Sequence, residues 1–568
     1  MESFTIRNLF NLADRFEIPE YQRAYSWEKE QFNQFVNDIK ECTGTYYLGH
    51  YLLECRENDE TYYIIDGQQR MTTVVIFMSC IVRALKSRLD LPDSFRVSTI
   101  ERTYLINNED SQRFHTVHYD DAFFNKEIIE NTDRNHAQYA EENSLPSTSQ
   151  LNIRHCREFF DELLKGITTE EILRWYTLVN QANITYYLVR SKIEAAQIFA
   201  FQNDRGKKLT NLEVIKSYFM LQIYLRGGKK QNDYIVRLED AYQRMYKEIV
   251  HISISEDAVL RYFWMGYSNK GFNVDNVLDE IKNHFHTVDV SEILAFLDQL
   301  AQSFEYVTKF EKSSDLYPKY LRKLNLMGWS YPVLLNARVY VGASETTMYK
   351  LMQIMENITF RAMVRGGRAS VESRLNSLII GVNDEDHLLH RMLGFIADVT
   401  NSYWSDSQFR TALRNGYIYH RKVACAYLLW RYEESLAGKG YVVPLFSIPK
   451  ESIEHIAPQH PKEGDIANGY GIYVDSETPE NGIESGEWLS SIGNLMLVSG
   501  QHNSSLGNKN FSNKVIDYGV KNLLLQQKEI HDQFDNVIEP VWDVQCIKER
   551  GGKIITAAMD IWNMSKIL

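Results

Sequence analysis

Apolar residues recur along this chain at spacings that change from segment to segment. Over Glu28–Glu41, Phe32, Phe35, Val36 and Ile39 fall three and four positions apart, which predicts a helix with one buried face. Tyr46–Glu54 and Glu60–Asp66 are rich in aromatic and β-branched residues. They flank the polar run Arg56-Glu57-Asn58-Asp59, which predicts two strands joined by a turn. Asp66-Gly67-Gln68-Gln69 then interrupts, and Arg70–Lys86 reads as a long apolar helix. A strand, a tight glycine turn and a helix start in succession aim backbone N–H groups and a helix dipole at whatever lies above the turn.

Residues 107–150 are polar and weakly periodic, and read as loops around a short helix. Ile184–Val189 is a strand candidate, Glu194–Gln202 a helix, Asn203–Lys208 a polar turn and Leu209–Leu225 a further helix. Residues 231–440 are dominated by helical spacing with no repeat of fixed period, which gives a solenoid no support. From about 441, glycine, proline and asparagine rise and β-like pieces appear at Tyr441–Phe446 and Trp488–Val498. The pattern predicts an α+β, multi-domain chain divided at 1–228, 229–440 and 441–568, with Gly227-Gly228-Lys229-Lys230 as the first boundary.

Composition narrows the classes. With 568 residues, 44% apolar and 24% charged, the chain has the make-up of a folded protein, and 11 prolines exclude a low-complexity one. A net charge of −13 argues against coating DNA through a global positive field, but not against local basic patches. The segment Arg361–Arg431 is such a patch, with ten Lys/Arg against six Asp/Glu. Its arginines Arg361, Arg365, Arg368 and Arg374 cluster around Gly366-Gly367, and are expected either to meet a DNA backbone or to pair with carboxylates. The six cysteines form no CxxC pair, which fits a reducing cytoplasm. The apolar run Val74–Val82 is too short for a membrane helix.

Three polar clusters carry candidate chemistry: Ile18–Trp27, Asp66–Arg70 and Asn203–Gly206. Arg23, Arg70 and Arg205 suit bidentate contacts to phosphate, Gly67 and Gly206 allow close backbone approach, and Asp66 suits magnesium or a ribose hydroxyl. No Walker-type loop occurs, so a nucleotide site here is not a P-loop. Surface arginines paired with carboxylates and glycines that merely turn the chain would give the same pattern. IPEYQRAYSW, YYLGHYLLE, YYIIDGQQRMTT and FAFQNDRGKKLTNLEVIKSYF, in that order, resemble the N-terminal, distantly ParB-like domain of GmrSD-type modification-dependent (type IV) restriction endonucleases. That resemblance implies NTP binding and hydrolysis at Asp66, Gly67, Gln68, Gln69 and Arg70, with Arg23, Asn203 and Arg205 as neighbours. It does not distinguish GTP, ATP or CTP.

A second constellation lies near the C-terminus. Ser452–Gln459 contains Glu454-His455, Trp488–Val498 contains Asn494, and Ser499–Leu506 contains His502-Asn503, followed by Phe511 and Lys514. A histidine at a strand end can deprotonate water beside a scissile phosphate, and Asn494 is suited to orient it. A neighbouring carboxylate, Glu454, with an amide from a later helix, Asn503 or else His502, suits a divalent cation, magnesium by the oxygen donors. A surface Glu-His pair with turn-forming asparagines is the plainer explanation of the same residues. The ordered set resembles the HNH (ββα-metal) nuclease domain that accompanies DGQQR domains in the same family. By that resemblance His455 is the general base and Asn503 the late metal ligand. Lys514 is counted with Arg361, Arg365 and Arg368 among the expected DNA contacts.

Together these readings describe a cytoplasmic, NTP-gated nuclease or nickase that restricts foreign double-stranded DNA, phage DNA carrying modifications, with homo-oligomers left open. Two other functions remain compatible with the residues: a toxin-like nuclease on unmodified nucleic acid, and a nucleotide-dependent sensor with a degenerate nuclease site.

Overall fold

The computed structural model describes residues 4–19, 22–55, 61–130, 147–189, 210–324, 327–366, 371–414, 417–437, 451–460, 468–471, 488–520 and 524–568. The chain divides into two compact units, Met1–Arg261 with Asp275–Glu311, and Tyr262–Val274 with Lys312–Leu568. Both mix helix and strand, as the α+β expectation has it.

The first unit is built on a five-stranded sheet. Its strands are β1 (Arg15–Glu17), β2 (Tyr47–Cys55), β3 (Thr61–Asp66), β4 (Phe114–His115) and β5 (Asn183–Val189), in the order β4-β1-β3-β2-β5. β2 pairs antiparallel with β3 and parallel with β5. The expected helices are present as Lys29–Glu41, Gln68–Lys86 and Asn211–Arg226. Residues from Met71 to Val82 along Gln68–Lys86 are buried on every side, which makes this helix the spine of the core. β1 and β4 were not foreseen; three and two residues are too short to show an alternating pattern. The expected helix Glu194–Gln202 and the strand Tyr441–Phe446 lie outside the described residues.

The second unit holds β6 (Glu451–His455), paired antiparallel with β7 (Leu495–Ser499) from Glu451–Ser499 to His455–Leu495. The helix Gly500–Leu506 follows directly and packs on both strands. Around this strand–strand–helix unit lie the helices Glu345–Arg365, Lys422–Leu436 and Val544–Ile561.

The expected boundaries near 228 and 440 each fall inside one of these two units. The Gly227–Lys230 stretch is one 3-10 turn between helices that pack on each other, with Tyr242 Oη donating to Leu212 O at 3.2 Å. A boundary at 440 would cut a continuous core, in which Phe360 stacks on Trp562 at 3.9 Å and Tyr427 packs against both. Periodicity finds helices but not which helices share a core.

Candidate functional site

In the first unit, Asp66–Arg70 straddles the end of β3 and the first turn of Gln68–Lys86. Gly67 makes the junction at φ +89°, and a Cβ there would stand 2.5 Å from the Tyr51 ring. A side chain at this position would meet both a strained backbone and an occupied space. Arg70 donates from Nη2 to the His50 carbonyl at 2.6 Å and lies over the Tyr51 ring, 5.4 Å from its centroid. The His50 Nε2 is 3.1 Å from Asp66 Oδ2. Asp66, His50, Tyr51 and Arg70 therefore form one connected patch. Sequence reading assigned no role to His50 and Tyr51, although both lie in the YYLGHYLLE motif, because a strand pattern does not say which side chains face the turn.

The two glutamines divide their tasks. Gln69 accepts the Ser26 backbone N–H at 2.8 Å and donates to Ala24 O at 3.1 Å, while Gln22 donates to Ile65 O at 3.1 Å. With both ends of its amide engaged, Gln69 braces the 22–26 segment. Gln68 Oε1, by contrast, is buried with no hydrogen-bond partner, and so is the Tyr51 hydroxyl. Burial raises the Tyr51 phenol, so it stays protonated and able to donate. Arg23 lies 3.7 Å from Glu213 Oε1. Burial pulls its guanidinium down, but Glu256, Glu213 and Asp257 together hold it above its usual value. Arg23's charge is thus answered by carboxylates in this arrangement. Asn203 and Arg205 lie outside the described residues.

In the second unit the chain around His455 is held from two sides. Asn494 is fully buried. Its Oδ1 accepts from Ala457 N at 2.9 Å and Trp542 Nε1 at 3.1 Å, and its Nδ2 donates to Ala457 O and Leu489 O, both at 3.1 Å. It orders the backbone beyond the histidine and does not touch the imidazole, which corrects the expected orienting bond. On the other side Lys514, also fully buried, donates from Nζ to Glu454 Oε1 at 2.7 Å and to the carbonyls of His455 and Ile456, both at 3.0 Å. A lysine so enclosed cannot reach a DNA phosphate, and the expectation for Lys514 is corrected.

His455 itself is 8% exposed, with Nε2 buried and unpartnered. Its ring meets the Tyr419 ring edge-on at 4.7 Å, and Gln459 donates to the Tyr419 hydroxyl at 3.3 Å. Burial, reinforced by the Lys514 charge, pulls the imidazole down to about 4, so it is neutral at pH 7 with a lone pair available. Tyr419 escaped the sequence reading because it lies ahead of residue 441, in a 3-10 turn at Tyr417–His420. His502, on the following helix, is buried with Nδ1 3.0 Å from Gln527 Nε2, and Asn503 beside it is half-buried.

Glu454, one of the two expected magnesium ligands, does not fit that part in this arrangement. The Glu454 carboxylate is enclosed and bonded to an ammonium. Among the described residues no three His, Cys, Asp or Glu side chains gather to hold a metal. Burial raises the Glu454 carboxyl and lowers the Lys514 ammonium, and each partly offsets the other.

The basic cluster also separates. Arg361 is fully buried, donating to Trp404 O at 2.8 Å and to Asp406 Oδ1 and Trp562 O at 2.6 Å, so it ties core elements together. This corrects its expected DNA contact. Arg374 is paired with Asp398. Arg365 is half-exposed, its guanidinium 4.5 Å from the Tyr403 ring centroid. Arg368 lies outside the described residues.

Comparison with known proteins agrees with the motifs at both ends. Residues 6–220 match the family model described as GmrSD restriction endonuclease, N-terminal domain, and residues 403–557 match that of the GmrSD restriction endonucleases, C-terminal domain. The chain belongs to the GmrSD restriction endonuclease family, and as a restriction endonuclease its substrate is DNA. The C-terminal match begins at 403, ahead of the expected boundary, and so takes in Tyr419. No curated protein matches the chain significantly. Among the described residues no helix is long and apolar enough to cross a membrane.

Proposed function

We propose that this endonuclease is an NTP-regulated enzyme of the HNH type that cuts or nicks foreign DNA carrying modifications, with hydrolysis centred on His455. The observation that carries this reading is the buried, unpartnered Nε2 of a neutral His455 at the end of β6, in a strand–strand–helix unit. In the proposed reaction, Nε2 takes a proton from water as the water oxygen bonds to phosphorus. The bond from phosphorus to the leaving oxygen then breaks, and that oxygen takes a proton from solvent water. No step is assigned to a metal ion, because Glu454, one of the two expected ligands, is already bonded to the Lys514 ammonium.

The nucleotide is assigned to the Asp66–Arg70 patch. Its support is the unpartnered Gln68 Oε1 and Tyr51 hydroxyl beside the N-terminus of a 19-residue helix. Backbone N–H groups of the first turn and the Arg70 guanidinium would hold phosphates, and the Tyr51 hydroxyl and Gln68 the remaining polar groups.

The test is cleavage of matched modified and unmodified phage genomes with GTP, ATP, CTP or no nucleotide. Cleavage of the modified genome that changes with one nucleotide supports the reading. Equal cleavage of both genomes, indifferent to nucleotide, favours a nuclease of unmodified DNA.

A further inference from the structure

Glu454 and Lys514 come from β6 and from the helix Phe511–Val520, sixty positions apart, and meet with neither side chain more than 5% exposed. The three acceptors around Nζ are Glu454 Oε1, His455 O and Ile456 O. Donating to all three uses three N–H bonds, which only the charged ammonium possesses. The carboxylate is correspondingly engaged. Unlike a metal ligand it has a cation already bonded to it, and unlike a surface pair it is removed from solvent. The acceptors lie on three consecutive residues, Glu454, His455 and Ile456, so the ammonium fixes the peptide unit that follows His455 and the one after it, on both sides of the Ile456 α-carbon. Asn494 fixes the next residue, Ala457, from the opposite side.

We propose that Lys514 and Glu454 form a buried charge clasp that positions His455 for the nuclease reaction, and that Glu454 is not a ligand of a catalytic metal. The inference rests on the nuclease reading of His455. Breaking one side of the clasp leaves the other charge buried and alone. The imidazole then loses its fixed backbone although nothing that touches DNA has changed. Removing both charges together relieves that conflict. A neutral amide at 514 can still donate to a carbonyl, and one at 454 can still accept from that amide.

The test compares Lys514→Gln, Glu454→Gln and the double variant in the full chain. Cleavage kinetics, Mn2+ binding and the salt dependence of DNA binding are followed. Each single variant is expected to lower kcat by about 10–100-fold, the usual cost of losing a group that supports a catalytic one. KM for DNA and the salt slope stay unchanged. The double variant is expected to recover most of the lost kcat, and Mn2+ binding by Glu454→Gln is expected to equal wild type. Two outcomes overturn the clasp: a double variant as inactive as Glu454→Gln with Mn2+ binding weakened, which makes Glu454 a ligand, or a shallower salt slope for Lys514→Gln, which returns Lys514 to DNA. Should a single variant fail to fold, the double variant's kcat and Mn2+ binding decide alone. His455→Ala is run alongside. Undiminished cleavage by it defeats the nuclease assignment itself, whereas its inactivity together with lost Mn2+ binding in Glu454→Gln defeats only the clasp.

Discussion

The backbone N–H of Ser26 donates to Oε1 of Gln69 at 2.8 Å, binding a loop near the N-terminus to the first turn of the helix that runs through the core. Gln69 also donates to Ala24 O. Gln69→Ala should therefore lower unfolding free energy by about 1–3 kcal/mol, as two backbone groups lose their partner. Gln68→Ala should change stability by less than about 0.5 kcal/mol, since its Oε1 has no partner to lose, and should weaken nucleotide binding. Urea unfolding and nucleotide titration of both variants check the division. Unaltered nucleotide binding by Gln68→Ala would remove it from the site.

Gly67→Ala combines two penalties. The left-handed backbone costs about 1–2 kcal/mol for a residue with a Cβ, and the Tyr51 ring occupies the place of that Cβ. Gly228 is the control, because it has φ +54° with nothing within 4 Å of an added Cβ. Gly228→Ala should show the backbone cost alone, and Gly67→Ala a larger loss. Equal losses in thermal unfolding would mean that the ring moves aside freely.

His455 makes a pH prediction of fixed sign. Its folded value of about 4 lies below the unfolded value of about 6.5. As pH falls, the unfolded chain takes the proton first. Stability is thus lost between about pH 6.5 and 4, at up to about 1.4 kcal/mol per unit. The stability difference between wild type and His455→Ala should shrink over that window in urea titrations. Cleavage should likewise persist below pH 6.5, with an acid limb close to 4. An acid limb near 6.5 would place His455 in water.

Two arginines four residues apart should behave oppositely. Arg361→Ala leaves Asp406 and two buried carbonyls without their partner, and should cost about 3–5 kcal/mol. It should leave the salt dependence of DNA binding untouched. Arg365→Ala should cost little stability and shallow the slope of log affinity against log salt by about 0.9, one phosphate contact. An unchanged slope would show that Arg365 only stacks on Tyr403.

Much of this was legible in the chain itself, and for a physical reason. Helices such as Lys29–Glu41 and strands such as β2 declare themselves through spacing, and the DGQQR turn through a glycine between strand and helix. Side-chain partners do not. Nothing in the sequence separates Arg361, enclosed in a core, from Arg365 on its rim, because both belong to one basic run. Lys514 reads as a DNA contact until its carboxylate partner sixty positions earlier is found. His50 and Tyr419 are invisible because their partners, Asp66 and His455, lie on other elements.

The account turns on His455, and the most direct measurement is cleavage of modified phage DNA by purified wild type and His455→Ala, with nucleotide hydrolysis followed in the same samples. His455→Ala is expected to lose cleavage by about 10²–10⁴-fold, as a general base does, while nucleotide hydrolysis and the unfolding temperature stay near wild type. Wild-type cleavage by His455→Ala would contradict the account.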